Sequence, residues 1–330
     1  MATYIRRREF VVTLGSAAAA WPLTARAQQP VMPVIGMLRT GTPATFSNQM
    51  AAFHKGLSDA GYVEGLNVSI EYRWAGSQND LLPVFAAELV RRKVAIIVTV
   101  ALGPALAAKA ATQTIPIVFS IGGDPVRLGL VASYNRPGGN ITGVSSLNNV
   151  LASKQFEALH ELVPKATTIA MLINPDNPNA ANDVKDVQTA AQKLGLQLVV
   201  LNSGNEREIE AAFAAMVRQR VDALFVGISA SLGNLPDSII ALANRHGIPA
   251  IYPWREHAVA GGLMSYGSDP SEDSRQVGLY AGRILKGANP ADLPVWETVK
   301  VELILNFKTA KALGLEVPLS LLGRADEVIE

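Results

Sequence analysis

The sequence predicts an α/β protein of two doubly wound parallel-sheet lobes, joined by a hinge that the chain crosses more than once. Three observations lead there. Strand-like and helix-like segments alternate along almost the whole chain, the pattern of parallel sheets with helices on both faces. Two pairs of segments roughly 130 residues apart echo each other, far too long a period for a solenoid. The length, 330 residues, exceeds what one hydrophobic core usually serves.

Val34-Ile35-Gly36-Met37-Leu38 is a β-branched, apolar run and reads as the first strand. Phe46, Met50, Phe53 and Leu57 recur at helical spacing, and Gly61 stops that helix as glycine does just past a C-cap. Residues 68–72 alternate as a half-buried strand, 81–92 form a helix, and 94–100 a strand buried on both faces. A helix over 104–112 has Pro104 near its start, and 115–119 is the next strand. After a helix over 151–162 the grammar repeats. Strands at 168–173, 196–201, 223–226 and 248–252 alternate with helices at 180–194, 209–219 and 238–245. Near the C-terminus, Ser265-Tyr266-Gly267 ends a strand-like piece, 271–285 is a long helix, 301–305 a strand and 309–313 a short helix.

Leu89-Val90-Arg91-Arg92-Lys93-Val94-Ala95-Ile96 echoes Met216-Val217-Arg218-Gln219-Arg220-Val221-Asp222-Ala223, and Thr114-Ile115-Pro116-Ile117-Val118 echoes Gly247-Ile248-Pro249-Ala250-Ile251. These echoes fit two similar domains in tandem. The expected first crossing is the turn-rich Pro137-Gly138-Gly139-Asn140 through Ser146. If the C-terminal elements return to the first lobe, residues 28–145 plus 267–330 form the N-terminal lobe and 146–266 the C-terminal lobe.

The first 27 residues read as an address. Arg6-Arg7-Arg8-Glu9 precedes a short Ala-rich apolar stretch, and Ala25-Arg26-Ala27 supplies a small-x-small cleavage pattern before Gln28. The arginine pair followed by Glu9-Phe10-Val11 predicts twin-arginine export in the folded state. Hydrophobic residues make up 49% and charged residues 17% of the chain, which excludes a disordered protein. Formal net charge is +1, but the leader alone is strongly positive, so the body is slightly acidic and poorly suited to a phosphate backbone. Nucleic acid is not an expected partner. Without a single cysteine, thiolate metal sites, iron–sulfur clusters, a cysteine nucleophile and a lipid anchor on a mature N-terminal Cys are excluded. The apolar run over 94–108 is broken by Gly103-Pro104 and bounded by Lys93 and Lys109, so no stable membrane insertion is expected.

The sequence carries no catalytic constellation. No G-x-G-x-x-G follows a predicted strand, and no G-x-x-x-x-G-K-[ST] occurs, so neither a dinucleotide nor a nucleotide phosphate loop is present. Gly227-Ile228-Ser229-Ala230-Ser231 misses the nucleophile-elbow pattern at its fifth position. His160-Glu161 starts an H-E-x-x-H that Pro164 ends. No cofactor and no metal are expected, and a serine hydrolase acting through Ser229 is the weak enzymatic alternative.

What remains is a set of polar and small residues at strand C-termini, where open α/β sheets bind ligands. Arg39 and Thr40 follow the first strand, Leu102 and Gly103 the third, and Ser120, Gly123 and Asp124 the fourth. The second lobe offers Asn174 and Asp176, then Ile228 and Ser229, then Tyr252 and Trp254, with Tyr266 at the end of its last strand. Backbone N–H groups at helix starts and Ser or Thr hydroxyls suit a carboxylate, Asp124 an ammonium group, and Tyr252 and Trp254 flat apolar walls.

Several of these stretches also carry a family resemblance. Gly61-Tyr62-Val63-Glu64-Gly65, Ile70-Glu71-Tyr72-Arg73-Trp74, Gly122-Gly123-Asp124-Pro125-Val126, Asn135-Arg136-Pro137-Gly138-Gly139-Asn140-Ile141-Thr142-Gly143 and Gly261-Gly262-Leu263-Met264-Ser265-Tyr266-Gly267 occur in order along the mature chain. Together with Asn174-Pro175-Asp176-Asn177-Pro178, Lys311-Ala312-Leu313-Gly314-Leu315 and the segment Arg324-Ala325-Asp326-Glu327-Val328-Ile329-Glu330, the chain resembles the TrpX-like ABC-transporter substrate-binding family, of the type I periplasmic binding fold. The resemblance implies a lobe-closing receptor that holds a small-molecule solute between its lobes and presents it to ABC permease subunits. An aromatic amino acid or related organic solute is the implied cargo. The implied setting is the periplasm of a Gram-negative cell and the expected state a monomer, with a ligand-sensing subunit for a membrane receptor as the alternative role.

Overall fold

The computed structural model describes residues 32–330 except 44–45, 77, 147, 229–231, 233–235 and 299, and the backbone alone at 148–150 and 236. The expected leader and the candidate Ser229 lie outside the described residues.

The first lobe is built on a six-stranded sheet of β1 (Val34–Arg39), β2 (Ser69–Trp74), β3 (Ile96–Val100), β4 (Ile117–Ile121), β5 (Ile141–Ser145) and β11 (Trp296–Glu297), parallel throughout. Helices α1 (Ser47–Asp59), α2 (Leu81–Arg91) and α3 (Leu102–Ala111) follow the first three strands. The strand period of two sorts the core. Ile35, Met37, Ile96 and Val98 pack with Phe53 and Leu57 of α1, whereas Leu38, Ile97, Ile117 and Phe119 pack on the opposite face with Leu82, Ala86 and Leu89 of α2. Covering both faces is why β3 reads as one continuous apolar run.

The second lobe carries β6 (Thr168–Ile173), β7 (Gln197–Asn202), β8 (Ala223–Val226), β9 (Ala250–Tyr252) and β10 (Met264–Gly267). Its order over these strands, β10-β9-β8-β6-β7, reproduces β5-β4-β3-β1-β2 of the first lobe. The sequence echo is therefore a topological repeat. Lys93 and Arg220, aligned in the echo, both adopt φ 52° where a helix ends ahead of a buried strand. Helices α4 (Asn148–Leu162) and α5 (Ala180–Leu194) cover one face of this sheet; α6 (Glu206–Gln219) and α7 (Pro236–His246) cover the other, and the short α8 (Arg255–Val259) follows β9.

Two expectations are corrected. The stretch over 137–146 is not all turn: Ile141–Ser145 is β5, hidden in the sequence because Gly143 interrupts its apolar run. A Cβ at Gly143 would stand 2.1 Å from the Phe119 carbonyl oxygen, so glycine lets β5 close on β4. The expected boundary also gave all of 267–330 to the first lobe. Helix α9 (Pro270–Leu285) and β11 do join it, with Val277, Tyr280 and Ile284 packed under β1 and β3. But β12 (Glu302–Asn306) pairs antiparallel with β10, and β13 (Glu327–Ile329) adds beyond it, so the chain ends in the second lobe. Burial decides this. Leu303 and Leu305 complete the core face over α4, which β10 alone would leave open.

The chain thus passes between the sheets after β5, after β10 and after β11. These crossings are tied together. Thr298 donates its N–H to the Ser145 carbonyl at 2.9 Å and its hydroxyl to Asp273 in the first turn of α9. Helix α9 is in turn locked to α1 by glycine: a Cβ at Gly278 would meet the Phe53 carbonyl oxygen at 2.2 Å, and one at Gly56 the Arg275 carbonyl oxygen at 1.9 Å.

Candidate functional site

The C-terminal ends of both sheets open onto one cavity of about 460 Å³, within the roughly 300–1,000 Å³ of small-molecule pockets. In each lobe it sits where strand order reverses, between β1 and β3 and between β6 and β8, the position at which open α/β sheets bind ligands. Parallel register sets the first wall: Trp74, Arg39, Val100 and Ser120 stand side by side at one level across β2, β1, β3 and β4.

Arg39, the last residue of β1, is 2% exposed and lines the cavity. Its guanidinium carbon lies 3.8 Å from the Phe46 ring centroid and 5.0 Å from that of Trp74, two cation–π contacts that orient the side chain. Burial pushes its pKa down to about 9, which leaves it a cation at neutral pH. Next to it, α3 begins at the cavity after Ala101, whose φ of 81° and ψ of 160° are strained for a residue with a Cβ. No side chain caps that helix start.

The second lobe supplies an aromatic wall. Trp254 lines the cavity, and its ring stacks on His257 at 5.5 Å, which stacks on Tyr252 at 5.3 Å. Burial pushes the His257 imidazole down to about 4, so this layered support is uncharged at neutral pH. Asn174, Asp176 and Ile228 complete this side. At the hinge, Ser146, Ser268 and Asp273 line the cavity; Asp273 is buried and pushed up to about 7 by desolvation. Asp183, also lining it, is raised to about 7 by the same cause, and accepts a hydrogen bond from Asn179 at 2.6 Å.

Of the residues singled out in the sequence, the structure brings Arg39, Thr40, Leu102, Gly103, Ser120, Gly123, Asn174, Asp176, Ile228 and Trp254 to this cavity. Asp124 is not among its walls. Its carboxylate accepts from the Val126 N–H at 2.9 Å and the Arg127 N–H at 3.3 Å, turn chemistry rather than a seat for ammonium. Tyr252 is 1% exposed inside the core face beneath α6 and α7 and reaches the cavity only through His257 and Trp254. The Tyr266 ring packs against the opposite core face, while its carbonyl accepts from Gln155. Side-chain direction alternates along a strand, and position at a strand end does not reveal which way the last residue points.

Sequence reasoning missed Phe46, Asp183 and Asp273. Phe46 read as the first apolar position of a helix, and both aspartates as polar helix residues. The one signal for Asp273 was Asp269-Pro270, a helix start placed directly after a strand end.

Among the described residues, no group of three His, Cys, Asp or Glu could hold a metal ion, and no helix is long and apolar enough to cross a membrane.

The chain matches the family model described as ABC transporter substrate binding protein over residues 43–329. It is similar to a tyrosine-binding protein of Clostridioides difficile (strain R20291), 29% identical over 264 residues, 80% of this chain and 76% of the relative. Among solved structures it is similar to an ABC domain from Streptococcus pneumonia in complex with L-Trp, at 27% identity, 90% and 99% coverage of the two chains, and a TM-score of 0.81. A ligand-free, open substrate-binding protein from Clostridium difficile, 25% identical over 90% of this chain and 99% of its own, gives 0.63.

Proposed function

The chain belongs to the ABC transporter substrate-binding protein family, and from that premise we propose that it captures an aromatic amino acid, or a closely related organic solute, in the interlobe cleft and delivers it to an ABC importer from the periplasm. Members of this family bind solutes and are not enzymes, so Ser229 receives no catalytic role. Small-molecule ligand and ABC permease partners follow from membership, and the fold is that of type I periplasmic binding proteins.

The observation that carries the cargo reading is that each lobe contributes an aromatic ring to the lining of the cavity. Phe46 stands in one lobe and Trp254 in the other, so an aromatic solute between them favours the closed arrangement by its differential affinity. Similarity to the L-Trp complex supports the same reading. At nearly equal identity and coverage, the chain superposes on that complex at 0.81 and on the open, ligand-free relative at 0.63, as a closed cleft would. Export is supported by the arginine pair, apolar stretch and Ala25-Arg26-Ala27 of the leader.

Thermal unfolding of the mature chain with L-tyrosine, L-tryptophan, L-phenylalanine, L-leucine and ribose tests the cargo. A ligand at about a hundred times its Kd adds about 2.7 kcal/mol and raises Tm accordingly. Aromatic amino acids are expected to shift Tm and ribose to leave it unchanged. A protein indifferent to all three aromatic amino acids sinks the reading.

A further inference from the structure

We infer that the end of the cleft between Arg39 and the start of α3 is a carboxylate subsite, so that the solute is recognised through a free carboxylate and Arg39 sets that specificity. The inference rests on the cleft being the solute site and deepens that reading.

Several exposed or half-buried arginines are paired. Arg73 meets Glu88 at 3.0 Å, Arg255 meets Glu327 at 2.8 Å, and Arg275 meets both Asp59 and Glu272. Arg39, the one buried arginine among the described residues, is not. Its Nε has no hydrogen-bond partner, its Nη1 reaches the Met50 sulfur at 3.8 Å, and among the described residues no carboxylate stands within ion-pair distance. A buried cation without a partner is costly, and the two aromatic faces orient it without neutralising it. An anion arriving in the cavity would supply what the protein withholds.

The neighbouring backbone favours the same charge. Arg39 stands opposite Val100 in register, and two residues on, Leu102 and Gly103 open the ten-residue α3 at the cavity wall. An uncapped helix start presents N–H groups and the positive end of the helix dipole. Guanidinium and N–H groups together match the planar, two-oxygen geometry of a carboxylate. The cavity carboxyls do not compete for Arg39: Asp273 is engaged by Thr298, Asp183 by Asn179, and both are pushed up to about 7.

The test is isothermal titration of the mature protein and its Arg39→Met variant with matched probes: L-tyrosine and L-tyrosinamide, L-tryptophan and L-tryptophanamide, indole-3-acetate and indole-3-acetamide, and inorganic phosphate. The expected result is that at least one carboxylate binds the wild type about 30-fold or more tightly than its amide, and that Arg39→Met erases the difference by weakening the carboxylate. Arg39→Gln, which keeps a polar head, serves if the Met variant does not fold, and the acid-to-amide ratio on the wild type needs no variant. Binding of indole-3-acetate but no amino acid would overturn the amino-acid reading and leave the subsite standing. Equal binding of every acid and its amide would overturn the subsite and leave the solute reading standing. Response to phosphate alone, or an Arg39→Met variant that keeps the full acid-to-amide ratio, overturns the inference.

Discussion

Replacing Asp273 with Asn should make the protein more stable at alkaline pH and leave it unchanged in acid. Asp273 is 5% exposed at the hinge, and desolvation, with lesser repulsion from Asp269 and Glu272, lifts its carboxyl from 3.8 to about 7. The folded state therefore holds this proton more tightly than the unfolded chain does. Stability is lost as pH rises from about 4 through 7, and stays lower above. At roughly 1.36 kcal/mol per pH unit, the gap between 3.8 and about 7 sets an upper figure of ~4 kcal/mol. The start of α9 pulls the other way by favouring the anion, so ~2–4 kcal/mol is the expected range. Asparagine mimics the protonated acid: its carbonyl oxygen accepts from the Thr298 hydroxyl and its amide can donate to Ser146. For a chain of this size the gain corresponds to about 3–6 °C in Tm at pH 8. Calorimetry of wild type and Asp273→Asn at pH 4, 5.5, 7 and 8.5 reads the difference directly, with Asp183 common to both. Parallel pH profiles, or a variant less stable than wild type at pH 8, would show that burial does not dominate this carboxyl.

Gly278→Val should force α9 away from α1, because a Cβ there stands 2.2 Å from the Phe53 carbonyl oxygen and backbone cannot give way as a side chain can. A cost of at least ~1–3 kcal/mol, read as a lower Tm, is expected; an unchanged Tm would mean the helices slide apart freely. Trp254→Ala should remove one flat wall of the cavity and weaken an aromatic amino acid by about ten- to a hundredfold in calorimetric titration, with ordinary folding, since its support from His257 and Tyr252 lies behind it. Undiminished affinity would place the aromatic ring elsewhere.

Much of this architecture is readable along the chain because it is local. Strand and helix periods depend on neighbours a few residues apart, and so does a helix stop such as Gly61. The rule that ligands gather at strand ends then led to Arg39, Leu102, Ser120, Asn174 and Trp254 without any coordinates. Local reading failed where a residue's meaning depends on which contact its side chain or backbone makes. Gly143 looks like a strand breaker until the Phe119 carbonyl is laid against it. Residues 302–306 look like a strand of either lobe until β10 offers an unpaired edge. Asp124 and Arg39 are both charged groups after a strand, yet one is consumed by the next two N–H groups and the other is left without a counterion in a closed space.

Periodicity along the backbone was enough to specify two repeated α/β lobes and the rim on which a ligand would rest. Which charges are satisfied, which rings face the cavity and which lobe claims the C-terminus depend on contacts that periodicity does not show, some of them between residues more than a hundred positions apart, such as Thr142 with Leu293. Desolvation and packing act through space, and their outcome is settled only when the chain has folded.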